Sequence, residues 1–87
     1  MNQERNNFDT AVGAKIRSRR LALNLTQTKL ANKVGVTFQQ IQKYEKGTNG
    51  TSSYRLKTIA ECLKVPVLWF YEYPIIKKEV EDDKSQS

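Results

Sequence analysis

Between Thr26 and Glu45 the chain carries two short stretches of helical periodicity separated by only Gly35 and Val36, and no other feature constrains its fold as tightly. The Thr26 hydroxyl is suited to accept from a backbone amide in the first turn of a helix, and Leu25 before it meets Leu30 as a hydrophobic staple. Leu30, Ala31 and Val34 then form one apolar stripe. Gly35 supplies the left-handed conformation that ends a helix without a Cβ clash. Thr37-Phe38-Gln39-Gln40 has the form of a capping box, and Val36 with Ile41 repeats the staple. Two staples within twenty residues fix the entry angles of both helices.

The rest of the chain reads as helices arranged around that unit. Residues 1–8 are polar and asparagine-rich and are expected to form a flexible arm, with Asp9 or Thr10 capping a first helix that runs to about Leu23 and stops at Asn24. Val12, Gly13, Ile16, Arg20 and Leu23 lie on its inner side, while Lys15, Arg17 and Arg19 fan outward. Lys46 and Gly47 close the third helix, and residues 48–53 read as a loop. With Ser53 as cap, Leu56, Ile59, Ala60 and Leu63 stand at the spacing of an amphipathic fourth helix. Pro66 suits the first turn of an apolar fifth helix containing Val67 to Tyr71. The expected architecture is therefore all-α, a compact bundle of five helices over residues 9–73, followed by an acidic, disordered tail over 74–87.

Charge and residue usage narrow the function classes. Of 15 Lys/Arg and 9 Asp/Glu, residues 1–71 hold 12 and 4, so the body is strongly basic and the remainder acidic. Such a body attracts polyanions. The single cysteine, Cys62, excludes an internal disulfide framework, and the absence of histidine removes the usual zinc sites and histidine general bases. No catalytic residue, metal or cofactor is expected. The amino-terminal residues lack the apolar run of a secretory signal, and nothing approaches the length of a membrane span, so the expected location is cytoplasmic, away from membranes.

On the third helix, Gln39, Gln42 and Lys43 share one face while Ile41, Tyr44 and Glu45 share the opposite one. Glutamine can bind adenine through a bidentate pair and lysine can donate to guanine, an inventory suited to the major groove of duplex DNA. A helix amino terminus and nearby lysines suit phosphates.

Residues 12–71 resemble the phage repressor and Cro-type, or XRE-type, family of helix-turn-helix transcriptional regulators. The resemblance is carried by Ile16 to Arg20, Leu25-Thr26-Gln27, Leu30-Ala31, Gly35-Val36-Thr37, Ile41, Glu45 and Gly47, then Leu56 to Leu63 and Val65 to Phe70. It implies a lambda-repressor-like DNA-binding domain whose third helix, about residues 37–46, reads bases in the major groove. It also implies that Gln27 grips a phosphate and buttresses the recognition helix, that Phe38, Gln39 and Lys43 read bases, and that Lys46 and Asn49 touch the backbone. Gln42 joins the base-reading face, and Thr37 and Gln40, at the start of the helix, join the phosphate contacts. Arg20 and Glu45 match a pair that ties the first helix to the third. Phe38 departs from relatives that place glutamine there, and either touches a thymine methyl or packs on the second helix. Gly50 stands where relatives often carry a basic residue.

The expected partner is double-stranded DNA at a palindromic operator, bound by a homodimer that represses transcription. Two other readings stay open at this level. One is an antitoxin-like protein whose tail, with Ile75, Ile76 and Val80, holds a protein partner while the body autoregulates its operon; the other is nonspecific binding of RNA or an anionic surface.

Overall fold

The computed structural model describes the backbone of residues 2–72 and the side chains of residues 7–72. Four α-helices follow in order, α1 (Asn2–Ala22), α2 (Gln27–Val34), α3 (Phe38–Lys46) and α4 (Ser53–Leu63), and a 3-10 turn (Val67–Tyr71) closes the described segment. The tail expected over 74–87 lies outside the described residues.

The caps explain where these helices begin and end. Thr26, Thr37 and Ser52 are extended, and their hydroxyls accept from the amides of Lys29, Gln40 and Arg55 at 3.0, 3.1 and 3.1 Å. The fourth helix is thus capped by Ser52 and not by Ser53, a shift of one residue between two serines that do the same chemistry. Gly35 sits at φ 87°, and the amides of Gly35 and Val36 both return to the Ala31 carbonyl, which closes α2 in the tight turn expected of it. The capping box at α3 forms by halves. The Thr37 hydroxyl takes the Gln40 amide, but the Gln40 side chain donates toward Tyr44 Oη at 3.5 Å instead of turning back.

Two expectations about the ends of the bundle are corrected. The first helix starts at Asn2, not at Asp9 or Thr10. Phe8 lies one helical turn before Val12 on the same stripe, and its ring stacks on Tyr71 at 5.6 Å, so the inner face continues back to Phe8, within the segment read as an arm. The fifth helix is a 3-10 turn of five residues. Its Phe70 is fully buried while Leu68 and Tyr71 face outward, which plugs the core with one ring and leaves no second apolar row for a longer helix to bury.

The core gathers Val12, Ile16, Leu30, Ala31, Val34, Ile41, Tyr44, Leu56, Ile59, Ala60, Leu63 and Phe70. Leu25 and Val36 lean on it as the staples require, and Trp69 covers its edge. Lys15 and Arg19, read as outward cations, are half-buried and structural. Arg19 Nε donates to the Leu63 carbonyl at 2.9 Å, at the end of α4. Lys15 Nζ donates to the Trp69 carbonyl at 2.9 Å and lies 4.5 Å from the centre of the Trp69 ring. Exposed helix ends and carbonyls favour cations, and here the two cations fasten α1 to the last third of the domain.

Helix α1 crosses the carboxyl end of α3 with almost no space between backbones. A Cβ added at Gly13 would fall 2.3 Å from the Tyr44 carbonyl oxygen and 2.6 Å from that of Glu45. Gly13→Ala therefore has to push α1 off α3, and the expected loss is about 1 to 3 kcal/mol, the range for overpacking a well-filled interior. Thermal unfolding followed by circular dichroism tests this; an unchanged melting temperature would refute the close approach.

Candidate nucleic-acid interface

Three side chains, Arg20, Gln27 and Glu45, fix the orientation of α3. Arg20 Nε donates to Glu45 Oε2 at 2.6 Å and Arg20 Nη2 to Glu45 Oε1 at 3.1 Å, a two-pronged pair with both side chains buried. The third prong, Arg20 Nη1, donates to the Leu25 carbonyl at 2.8 Å, just before α2. Gln27 Nε2, in the first turn of α2, donates to Glu45 Oε1 at 2.9 Å. One carboxylate on α3 is therefore held by α1 and α2 together, and the guanidinium also ties down the link between them. Among the described residues no buried side-chain nitrogen or oxygen lacks a hydrogen-bond partner, so the cluster is closed.

With that face locked, the opposite face of α3 is open to solvent. Gln39 and Lys43 are exposed, one helical turn apart. Phe38 is 39% exposed at the leading edge of the helix, which leaves its ring available to an apolar contact outside the protein. Gln42, grouped with them from the sequence, is half-buried. At the amino end, Thr37 and Gln40 are exposed; the Thr37 oxygen accepts its cap bond and keeps its own O–H to donate. Lys46 and Asn49 are exposed beyond the carboxyl end. Gln27 is half-buried, and its second N–H remains beyond the one given to Glu45.

Thr48 was not anticipated. Its amide and hydroxyl both donate to the Lys43 carbonyl, at 3.1 and 3.2 Å, which ends α3 and sets the course of the loop carrying Asn49. A threonine two residues past Lys46 is the signal that could have marked it. The role of Lys15 and Arg19 had no such signal, because their partner carbonyls lie 54 and 44 residues away along the chain. Burial pushes the Cys62 thiol up from its ordinary range, with Lys33 opposing and Glu61 reinforcing the shift, which favours the protonated thiol beside the core. Among the described residues, no helix is long and apolar enough to cross a membrane.

Two short helices joined by a glycine turn, the second clamped on one face and presenting amides and cations on the other, define a helix-turn-helix domain. The chain belongs to the helix-turn-helix family of Cro/C1 type, whose model matches residues 16–70. It is 52% identical over 67 residues to an uncharacterized HTH-type transcriptional regulator of Sinorhizobium medicae, a match covering 77% of this chain and 48% of the relative. It is also 52% identical over 63 residues to an uncharacterized transcriptional regulator in the ATPase CF(0) region of Rhodospirillum rubrum, covering 72% of this chain and 58% of that one. The chain thus spans about half the length of the curated relatives it matches. Two crystal structures of the clp gene regulator ClgR from Corynebacterium glutamicum superpose with TM-scores of 0.70 and 0.72. Their identities to this chain are 26% and 23%, over 74% and 91% of it and 83% and 87% of the ClgR chains.

Proposed function

We propose that this chain binds duplex DNA sequence-specifically, laying the exposed face of α3 in the major groove, and acts as a bacterial or phage transcriptional regulator, a repressor at a palindromic operator. The observation that carries this reading is the division of α3: Glu45 is locked by Arg20 and Gln27 while Gln39 and Lys43 stand free one turn apart. A solvated polar face needs no such clamp. A reading head does, since a base contact fails when its donor is displaced by a fraction of its bond length.

In this reading Gln39 and Lys43 contact base edges, Phe38 meets a thymine methyl, and Gln42 contributes at the flank. Gln27, Thr37, Gln40, Lys46 and Asn49 bind phosphates on either side. A single helix reads only a few base pairs, so the chain acts as a homodimer on an imperfect inverted repeat, with half-sites about 34 Å apart on one duplex face. Exposed Val67, Leu68 and Tyr71 supply apolar surface for that pairing.

The test is selection of bound sequences from a random duplex library. The expected product is an inverted repeat preferred over arbitrary duplex by about 10³ or more; uniform binding of all sequences would defeat the proposal. Gln39→Ala is expected to cost about 1 to 3 kcal/mol on the selected site and to relax preference at one base position in each half. A repeat selection with that variant checks it, and an unchanged preference would take Gln39 off the reading face.

A further inference from the structure

We propose that Asn49-Gly50 is a self-modifying site, at which intramolecular deamidation turns the Asn49 carboxamide into a carboxylate on the loop that follows α3. Asparagine deamidates when the backbone nitrogen of the next residue reaches its side-chain carbon, which requires that amide to be sterically open and unbonded. Both residues are exposed and lie in the loop between α3 and α4. Neither the Asn49 carboxamide nor the Gly50 amide makes a hydrogen bond among the described residues. Gly50 carries no Cβ to hinder the approach.

The other asparagines with described side chains are protected at that same atom. After Asn24, the Leu25 amide is committed to the Arg20 carbonyl at 3.1 Å. Asn32 lies inside α2 and Asn7 inside α1, where helical backbone holds the following nitrogen away from the side chain. Asn49 is thus the member of this set whose neighbouring amide is free.

The chemistry needs only water. The Gly50 nitrogen loses its proton and bonds to Asn49 Cγ, the C–N bond of the carboxamide breaks, and ammonia leaves a five-membered succinimide. Water opens the ring at either carbonyl, giving aspartate or isoaspartate with no change of oxidation state. Because the nucleophile is the deprotonated amide, the rate rises with pH. The closest side chain to Gly50 is that of Asp9, whose carboxylate oxygens lie 3.2 and 3.4 Å from where a Cβ would stand. The product therefore adds a carboxylate to a loop that already has Asp9 against its next residue. Where the loop follows a phosphate backbone, this replaces a donor with a negative charge, and an aged molecule loses its hold on DNA. That consequence rests on the phosphate role given to Asn49 above; the modification itself does not.

The experiment ages the full chain in mildly alkaline buffer and follows each asparagine-containing peptide by mass spectrometry. Asn49 is expected to gain one mass unit roughly tenfold faster than Asn24 or Asn32, and Gly50→Ala is expected to slow that gain by a similar factor because the added methyl obstructs the nitrogen. Comparable rates at the three asparagines, or an unaltered rate in Gly50→Ala with an unchanged melting curve, would overturn the proposal. In parallel, Asn49→Asp is expected to bind the selected duplex about tenfold more weakly, the effect of one charge about 6 Å from a phosphate at intermediate dielectric. If Asn49 converts while Asn49→Asp binds as the parent does, the modification site stands and Asn49 leaves the phosphate contacts.

Discussion

Arg20→Ala is expected to destabilise the domain by about 3 to 5 kcal/mol, the cost of removing one partner from a buried ion pair. For a domain of this size that lowers the melting temperature by more than about 10 °C. The cost arises less from the lost attraction than from what stays behind. The Glu45 carboxylate, buried among the helices, would keep only the Gln27 amide as partner, and the Leu25 carbonyl would lose its donor. DNA binding should fall at the temperature where the variant is still folded, because α3 is then held by packing and the single Gln27 bond. Circular dichroism melting and duplex titration measure the two effects separately. A second variant in which Arg20→Met and Glu45→Leu are combined removes both charges, and recovery of stability in it would confirm that the unpaired carboxylate is the source. An Arg20→Ala protein that melts with the parent would show that the pair contributes nothing.

Binding is expected to collapse with salt. A dimer that neutralises about six phosphates should lose about 10³ in affinity between 50 and 200 mM monovalent salt, because each neutralised phosphate releases a condensed counterion. The estimate is set by the cations left free. Lys15 and Arg19 are engaged with the Trp69 and Leu63 carbonyls and Arg20 with Glu45, so three of the basic residues of α1 are unavailable to DNA. Lys43 and Lys46 remain exposed, on the open face of α3 and at its carboxyl end, and Arg17 is exposed on α1. Titration across that salt range decides the matter, and a flat response would exclude phosphate contact as the source of affinity.

Local chemistry explains most of what was legible in the chain. Cap hydroxyls, the Gly35 turn and the paired staples act within a few residues of themselves, so Thr26, Thr37, Leu25, Val36 and Gly35 could be placed without a third dimension. The division of α3 into a polar and a packed face followed from its period. The start of α1 was misread because Asn-rich sequence suggests mobility, whereas Phe8 extends the buried stripe and finds Tyr71, a residue no local pattern points to. The last helix was misread because five apolar residues in a row look like a buried helix, yet only Phe70 enters the core.

The sequence by itself determined that two short helices meet at a tight turn and that Gln39 and Lys43 share one side of the second, since caps, staples and helical period are short-range effects. Only the tertiary structure decided which cations are free. Lysine and arginine look alike along a chain, but a carbonyl at a helix end dozens of residues away has fixed Lys15 and Arg19 as fasteners, and a buried carboxylate has fixed Arg20 as the clamp. The physical reason is that charge finds its partner in space, where desolvation makes an unmatched buried group costly, and sequence distance does not enter that balance.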